Sequence, residues 1–272
     1  MNIRSLLLLI PALLALASCS SSSSTNSTQP DATPVATTVG QIQGSGSGSP
    51  VIDVAVSVSG IVTGDFQDND ADTVNNLGGF YLQSISPDSD AATSEGIFIF
   101  DGTAPATDVA IGDVVHVEGT VSEHQGETRV LAAVVAVGGT GSVQPVDVNL
   151  PADLENYEGM LIRLPQALLV VGLFELERFG TVHLAAGDRP YSFTNQNLPD
   201  VGGYAAHKSG FASRSIFLDD GTLEQNIVPI RYLPSTLNGA RTIRGGDSFT
   251  GLTGNLRFGR GDDLDGTEGY RL

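Results

Sequence analysis

The chain has 272 residues, with 31 Asp and Glu against 13 Lys and Arg and a formal net charge of −18 at pH 7. Such an acidic balance disfavours general binding of polyanions, because released counterions at cationic side chains supply most of the non-specific affinity for nucleic acid. The single cysteine excludes an internal disulfide, and 33 glycines without long helical patterns indicate an all-β protein.

The N-terminus has the pattern of an export signal. Arg4 precedes the apolar run SLLLLIPALLALA, which is too short for a transmembrane helix. The following LASC, Leu16–Cys19, resembles a bacterial lipobox, in which the cysteine accepts a diacylglycerol; the alternative is ordinary cleavage after Ala17, which leaves Cys19 as an incidental thiol. We predict a lipoprotein signal peptide over residues 1–18, lipidation at Cys19 and no transmembrane helix in the mature chain. The protein is then exported and held at the outer membrane or cell surface by its lipid anchor, or secreted.

A tether and two modules are predicted after this signal. Residues 19–50 are rich in Ser, Thr, Gly, Gln and Pro, a composition that is typical of a flexible tether. Beyond it, SEGIFIFDG (Ser94–Gly102) and SRSIFLDDG (Ser213–Gly221) share five of nine positions. Each is followed by a strand that Gly-Asp opens and that contains a glycine, Gly119 in the first copy and Gly254 in the second. This repeat predicts tandem modules over residues 51–145 and 146–272.

Val alternates with polar or small residues in segments such as DVAVSVSGIVTG and DVVHVEGTV, which predicts strands with one buried face. A glycine inside a strongly curved strand relieves the bend, since it has no Cβ. We therefore predict two tandem OB-like small β-barrels, with a pair of β-sandwiches as the alternative. Helical turns are expected only in PADLENYEGM and GYAAHKSGFA.

Several phrases in order resemble the N-terminal region of secreted bacterial nucleases of the ExeM/NucH kind. They are VSGIVTGDFQ, LGGFYLQ, TSEGIFIFDG, VAIGDVVHVEGTVSEHQGETRV and LENYEGMLI, and the resemblance runs from about Val51 to Leu272. In that family an OB-like region precedes a catalytic domain of the endonuclease/exonuclease/phosphatase class. The resemblance implies accessory modules without a catalytic centre, whose partner is DNA or a nuclease catalytic domain or subunit.

The residues themselves indicate no catalytic centre. Asp65 lies in GDFQ, which has Gln where the catalytic element has Asn, and no Ser-Asp-His follows. A turn aspartate is the better interpretation. The four histidines, His116, His124, His183 and His207, lack the spacing of a zinc site.

Acidic loops are the candidate metal sites, because calcium prefers several oxygen ligands in a tight loop. The predicted ligands are Asp68, Asp70, Asp72, Asp88, Asp90, Asp262, Asp263 and Asp265. The loops lack the glycine and the distal glutamate of an EF-hand, so solvated acidic hairpins are the alternative.

Basic residues are concentrated in the second module. Residues 20–145 contain 15 acids and one base, a net −14, whereas residues 146–272 contain 16 acids and 11 bases, a net −5. Arg241, Arg244, Arg257 and Arg260 flank the glycine-bearing strand and predict a short cationic stripe, to which Tyr81 and Phe98 would add stacking surfaces. The alternative is that these arginines only balance nearby carboxylates.

Two functions from different classes follow. The first is a non-catalytic accessory region of an extracellular nuclease, which binds substrate or nucleic acid. The second is an acidic, calcium-stabilised surface module that binds a glycan or a protein, which the net charge favours. A truncated nuclease reading frame is a third interpretation.

Overall fold

The computed structural model describes residues 33–68, 76–233 and 242–272. The predicted signal peptide, Cys19, Asp70, Asp72 and Arg241 lie outside the described residues. Residues Thr33–Leu272 form one compact unit built mostly of β-sheet, so the all-β class is confirmed. No helix in the described ranges is long and apolar enough to cross a membrane.

The described residues of the first module form six strands and one short helix. In chain order they are β1 (Val35–Ala36), α1 (Val39–Gln43), β2 (Ala55–Phe66), β3 (Gly79–Ser84), β4 (Gly96–Phe100), β5 (Asp113–His124) and β6 (Glu127–Thr140). The strand order is β1-β2-β3-β4-β6-β5, and β5 pairs back onto β2. Strands β2 to β6 therefore form a closed ring, in which β4 and β6 are parallel and the other neighbours are antiparallel.

Strand β5 shows the predicted two-residue period. Val115, Val117 and Val121 are buried in the core, while His116 is exposed on the opposite face. The pairing with β6 shifts register at Gly119, where an added Cβ would overlap the carbonyl group of Leu131. This glycine occupies the bend that the sequence predicted for it.

The first module begins before residue 51, inside the stretch that composition assigned to the tether. Val39 and Ile42 of α1 are buried in the core of the ring. The Thr38 side chain caps α1 by accepting a hydrogen bond from the Gln41 N–H, at 3.2 Å. Two apolar residues at i and i+3 are enough to dock one helical turn, although the surrounding composition is typical of disorder.

In its described residues, 146–233 and 242–272, the second module contains nine strands and two α-helices. They are β7 (Val146–Asp147), β8 (Leu161–Leu164), β9 (Leu168–Gly172), α2 (Leu176–Phe179), β10 (Val182–Ala186), α3 (Val201–Ala212), β11 (Ser215–Leu218), β12 (Ser248–Phe249), β13 (Leu252–Asn255), β14 (Arg257–Gly259) and β15 (Gly269–Arg271). One sheet has the order β12-β9-β10-β11-β15-β14, and the other has the order β13-β8-β7. Both predicted helical segments form, one as a 3₁₀ turn over Leu154–Tyr157 and the other as α3. The prediction that helical turns occur only there is wrong, because α1, α2 and a 3₁₀ turn over Phe193–Asn195 also form.

The duplicated phrases occupy equivalent strands. The first lies on β4 and the second on β11, and each of these strands is antiparallel to the strand before it and parallel to the last strand of its module. The strands that Gly-Asp opens also correspond. In the first module β5 pairs with the early strand β2, and in the second module β12 pairs with β9 and β13 pairs with β8. The sequence repeat is therefore a repeat of strand order.

The two modules are joined by a close interface. The Ser94 hydroxyl donates to the Glu158 carbonyl at 2.6 Å, and the Asn255 amide donates to the Thr63 hydroxyl at 2.8 Å. Asn76 of the first module also exchanges two backbone hydrogen bonds with the segment around residues 221–223, at 3.0 and 3.2 Å. These bonds fix the position of one module against the other.

At one place in this interface the two main chains meet through a pair of glycines. A Cβ added to Gly96 would overlap the backbone of Gly159 and Met160, and a Cβ added to Gly159 would lie 2.6 Å from the carbonyl carbon of Gly96. Only residues without side chains allow the two backbones to pack directly at this point.

We expect Gly96→Ala to lower the free energy of unfolding by about 2–3 kcal/mol, because the added methyl group must push the two modules apart. Gly139→Ala is the matched control, since an added Cβ on that strand residue meets nothing within 4 Å. Urea unfolding followed by circular dichroism measures both variants. Equal midpoints for the two variants would contradict the tight packing described here.

Candidate binding site between the two modules

A pocket of about 240 Å³ lies between the modules, and we refer to it as the intermodule pocket. It is lined by Leu77, Tyr81, Phe98, Phe100, His124, Glu127, Arg129, Leu223, Arg257 and Asp263. Four of the residues singled out in the sequence therefore meet here: Tyr81 and Phe98 as stacking candidates, Arg257 as a cation and Asp263 as a calcium candidate.

The aromatic side of the intermodule pocket is mostly internal. Tyr81 and Phe98 are 1% and 4% exposed, and their ring centres are 4.9 Å apart. Neither ring presents a free face at the protein surface. Phe100 is only partly buried, and the Arg129 guanidinium lies 4.6 Å from its ring centre, at cation–π distance.

A hydrogen-bonded pair of acidic groups forms the base of the pocket. The Tyr81 hydroxyl donates to Glu127 Oε1 at 3.0 Å, and both residues are buried. Burial raises the pKa of Tyr81 well above its usual value, so the phenol keeps its proton. Burial also raises the pKa of Glu127, although the nearby Arg257 acts in the opposite direction.

Glu158 adds a second buried carboxyl group behind Glu127. Burial, with a further contribution from the charge of Glu127, raises the pKa of Glu158 to about 9, so this side chain is protonated at neutral pH. Its Oε1 accepts a hydrogen bond from the Thr128 N–H at 2.9 Å. Its Oε2 is buried and has no hydrogen-bond partner among the described residues. Glu158 is therefore present in the interface as a neutral acid.

Two arginines in the pocket lack acceptors. In the described part of the chain, Arg129 Nε and Arg257 Nε and Nη1 are buried without a hydrogen-bond partner, and neither arginine belongs to an ion pair. Burial acts to lower the pKa of Arg257, but Glu127, Tyr81, Asp219 and Asp263 together outweigh it and the pKa is raised. Burial lowers the pKa of Arg129, and the charges of Glu127 and Asp263 oppose this effect. Buried guanidinium groups of this kind require an explanation, and a bound anion is one that fits their chemistry.

Arg244 and Arg260 of the predicted cationic stripe do not line the pocket. Arg260 forms an ion pair with Glu268 at 3.1 Å, in keeping with the alternative that such arginines balance nearby acids. Arg244 lies in an exposed turn, where its backbone N–H donates to the Asp247 carboxylate at 2.8 Å. The stripe is thus divided between the interior and the surface.

In the described acidic loops, the aspartate side chains mostly accept hydrogen bonds from backbone N–H groups of the same loop. Asp88 accepts from the Asp90 N–H at 2.8 Å, and Asp90 accepts from the Ala92 N–H at 3.0 Å. Asp262 accepts from the Leu264 N–H at 2.8 Å.

Two acids of the C-terminal loop have cationic or imidazole partners instead. Asp265 forms an ion pair with Arg178 at 2.8 Å, and Asp263 lies 3.2 Å from His124. In the ranges that the structure describes, no group of three or more His, Cys, Asp or Glu side chains is arranged to hold a metal ion.

Sequence reasoning missed Glu127, Arg129 and Glu158. Arg129 carried a signal, because it is the single basic residue between residues 20 and 145. The two glutamates carried none, since an acid in a polar segment gives no sign that another module will cover it.

Comparison of the sequence with known protein families and with curated proteins finds no match.

The protonated Glu158 predicts a stability that falls as the pH rises. The unfolded chain releases this proton near the ordinary pKa of 4.5, whereas the folded chain retains it until about pH 9. The stabilisation is complete below pH 4.5 and is lost progressively up to about pH 9. Glu158→Gln, a neutral isostere, should therefore flatten the fall of the melting temperature between about pH 7.5 and 9.

This pH window lies above the pKa values of two other carboxyl groups, since burial raises Asp101 to a pKa of about 6 and Asp220 to a pKa of about 7. Glu118→Gln on the outward face of β5 is the control and should keep the wild-type slope. Parallel curves for Glu158→Gln and the wild type would show that Glu158 is not protonated in the folded protein.

Proposed function

We propose that the chain is an exported, non-catalytic accessory protein, anchored through Cys19, that binds the end of a single DNA strand in the intermodule pocket. The observation that carries the proposal is that Arg129 and Arg257 line this pocket with buried guanidinium nitrogens that have no hydrogen-bond partner in the described part of the chain. The resemblance to the N-terminal region of secreted nucleases supports the same function.

The chemistry of the pocket suits a nucleotide. Guanidinium N–H groups donate to phosphate oxygens in a planar fork, which makes arginine the favoured phosphate ligand in a chain with a single lysine. Phe100 offers an aromatic wall for a base, and Glu127 and Asp263 offer acceptors for its amino groups. The volume of about 240 Å³ suits one terminal phosphate with part of its nucleoside, not a strand that runs through.

The overall charge favours binding of the end of a DNA strand and disfavours binding along the length of the strand. A net charge of −18 repels a long polyanion, so affinity must come from a few contacts in the pocket. If only about one or two phosphates are neutralised, the affinity will depend weakly on salt.

We expect Arg129→Gln and Arg257→Gln each to weaken binding of a short 5′-phosphorylated oligodeoxythymidine about tenfold, since each removes one charge-assisted contact to phosphate. Fluorescence anisotropy measures the binding. Arg163→Gln is the control, because this arginine is exposed and forms an ion pair with Asp147 at 2.6 Å. An oligonucleotide without the terminal phosphate should bind less tightly to the wild type.

Unchanged affinity in both pocket variants, with circular dichroism showing that each is folded, would contradict the proposal. Degradation of the oligonucleotide by the purified chain with Mg²⁺ or Ca²⁺ would contradict its non-catalytic part.

A second candidate function is the calcium-stabilised surface module that binds a glycan or a protein. Burial, with smaller contributions from the charges of Asp65 and Asp68, raises the pKa of Asp101 to about 6. Asp101 Oδ1 is buried without a hydrogen-bond partner in the described ranges. A cation near Asp101 would relieve this repulsion, and Asp68 belongs to the loop for which calcium was predicted.

For this candidate, about 1 mM CaCl₂ should raise the melting temperature by several degrees, because an ion that binds only the folded chain stabilises it. Asp101→Asn should abolish the increase, whereas Asp108→Asn in the neighbouring exposed loop should keep it. An unchanged melting temperature of the wild type in calcium would rule out this role of the ion.

A further inference from the structure

Helix α3 lies on the second module without a single buried residue. Its apolar Val201 is 88% exposed and its Tyr204 is 51% exposed. The helix is nevertheless held at both ends. Asp200 caps its first turn by accepting from the Gly203 N–H, and Arg214, beyond its last turn, donates to the carbonyl groups of Ala186 and Asp188. The helix therefore packs only loosely on the sheet, through contacts such as that between Phe211 and His183 of β10.

A large cavity lies beside α3, with a volume of about 1080 Å³. Its aromatic and apolar lining comes from Phe211 of α3, from Ile216 and Phe217 of β11, and from Phe258 and Tyr270. His183 stacks on Phe217 with ring centres 4.4 Å apart and meets the edge of Phe211 at 5.4 Å. Cavities of this size with mainly apolar and aromatic walls are characteristic of small-molecule sites.

The charged groups that line this cavity are Lys208, Asp153 and Glu268, and several of its other polar groups are already hydrogen-bonded. The hydroxyls of Ser213 and Ser215 donate to backbone carbonyls at the end of α3, at 3.2 and 3.3 Å, and Glu268 pairs with Arg260. Burial lowers the pKa of His183, so its ring is neutral at physiological pH. A sugar or a nucleotide would find few partners for its many polar groups here.

The cation of this cavity is Lys208, the only lysine of the chain. It lines the cavity from α3, and its ammonium lies 5.8 Å from the centre of the Tyr204 ring. Among the described residues no carboxylate forms an ion pair with it. In a chain of net charge −18, one uncompensated cation at an apolar cavity favours a ligand with a single negative charge.

We propose that the cavity under α3 binds a long-chain carboxylate, with the alkyl chain against Phe211, Phe217 and Phe258 and the head group accepting hydrogen bonds from Lys208. Each methylene group of the chain that is buried against these walls is removed from water, so the apolar walls supply most of the affinity. The ammonium supplies selectivity for the charged head group. This site is separate from the intermodule pocket and does not depend on the function proposed for it.

The test is isothermal titration calorimetry of residues 20–272, the chain without its predicted signal peptide and Cys19, with dodecanoate and with dodecan-1-ol. Lys208→Gln should weaken dodecanoate binding about tenfold through loss of the charge-assisted bond and should leave dodecan-1-ol binding unchanged. Phe211→Ala should weaken both ligands. Arg189→Gln removes an exposed positive charge outside the cavity and should change neither.

Absence of dodecanoate binding to the wild type at about 1 mM would overturn the proposal. Equal dodecanoate affinities for the wild type and Lys208→Gln would overturn the assignment of the head group, as would an equal loss in Arg189→Gln. Lys208 is exposed, so its variant tests binding without disturbing the fold.

Discussion

The burial of ionisable side chains at the boundary between the modules is the constraint on which the structure depends. Glu127, Glu158, Tyr81 and Arg257 share a small space from which water is largely excluded, so each must be neutral, hydrogen-bonded or close to an opposite charge. Glu158 meets this requirement by remaining protonated, and Glu127 by accepting from Tyr81. The two arginines lie near the charge of Glu127, but their buried nitrogen atoms have no hydrogen-bond acceptor among the described residues, and this makes the boundary a candidate site.

The alternation of apolar and polar residues predicted the strands well, because it follows directly from the burial of one strand face. The alternating valines of β5 and the glycine at its bend are found where the sequence placed them, and the two copies of the duplicated phrase lie on equivalent strands, β4 and β11. The start of the first module was not predictable in the same way. Val39 and Ile42 are only two apolar residues in a low-complexity stretch, and only the folded ring shows that they are covered.

The site was harder to predict than the fold, because the sequence does not show which outer face of the first ring the second module covers. Tyr81 and Phe98 were expected as outward stacking surfaces, and the structure places both under the second module. Arg257 was one of four arginines in an expected surface stripe, yet it lines the internal pocket. The residue types at the site were therefore predictable in part, but not their surroundings, which depend on contacts between distant segments.

The direct backbone contact between Gly96 and Gly159 has a consequence for how such a protein can evolve. Two modules with side chains at their boundary can be shuffled into new combinations, because side chains adjust to a new neighbour. Here the main chains themselves meet, so a foreign module could be grafted only if it also had a glycine at this place. The tandem unit should therefore be inherited whole, with both copies diverging together.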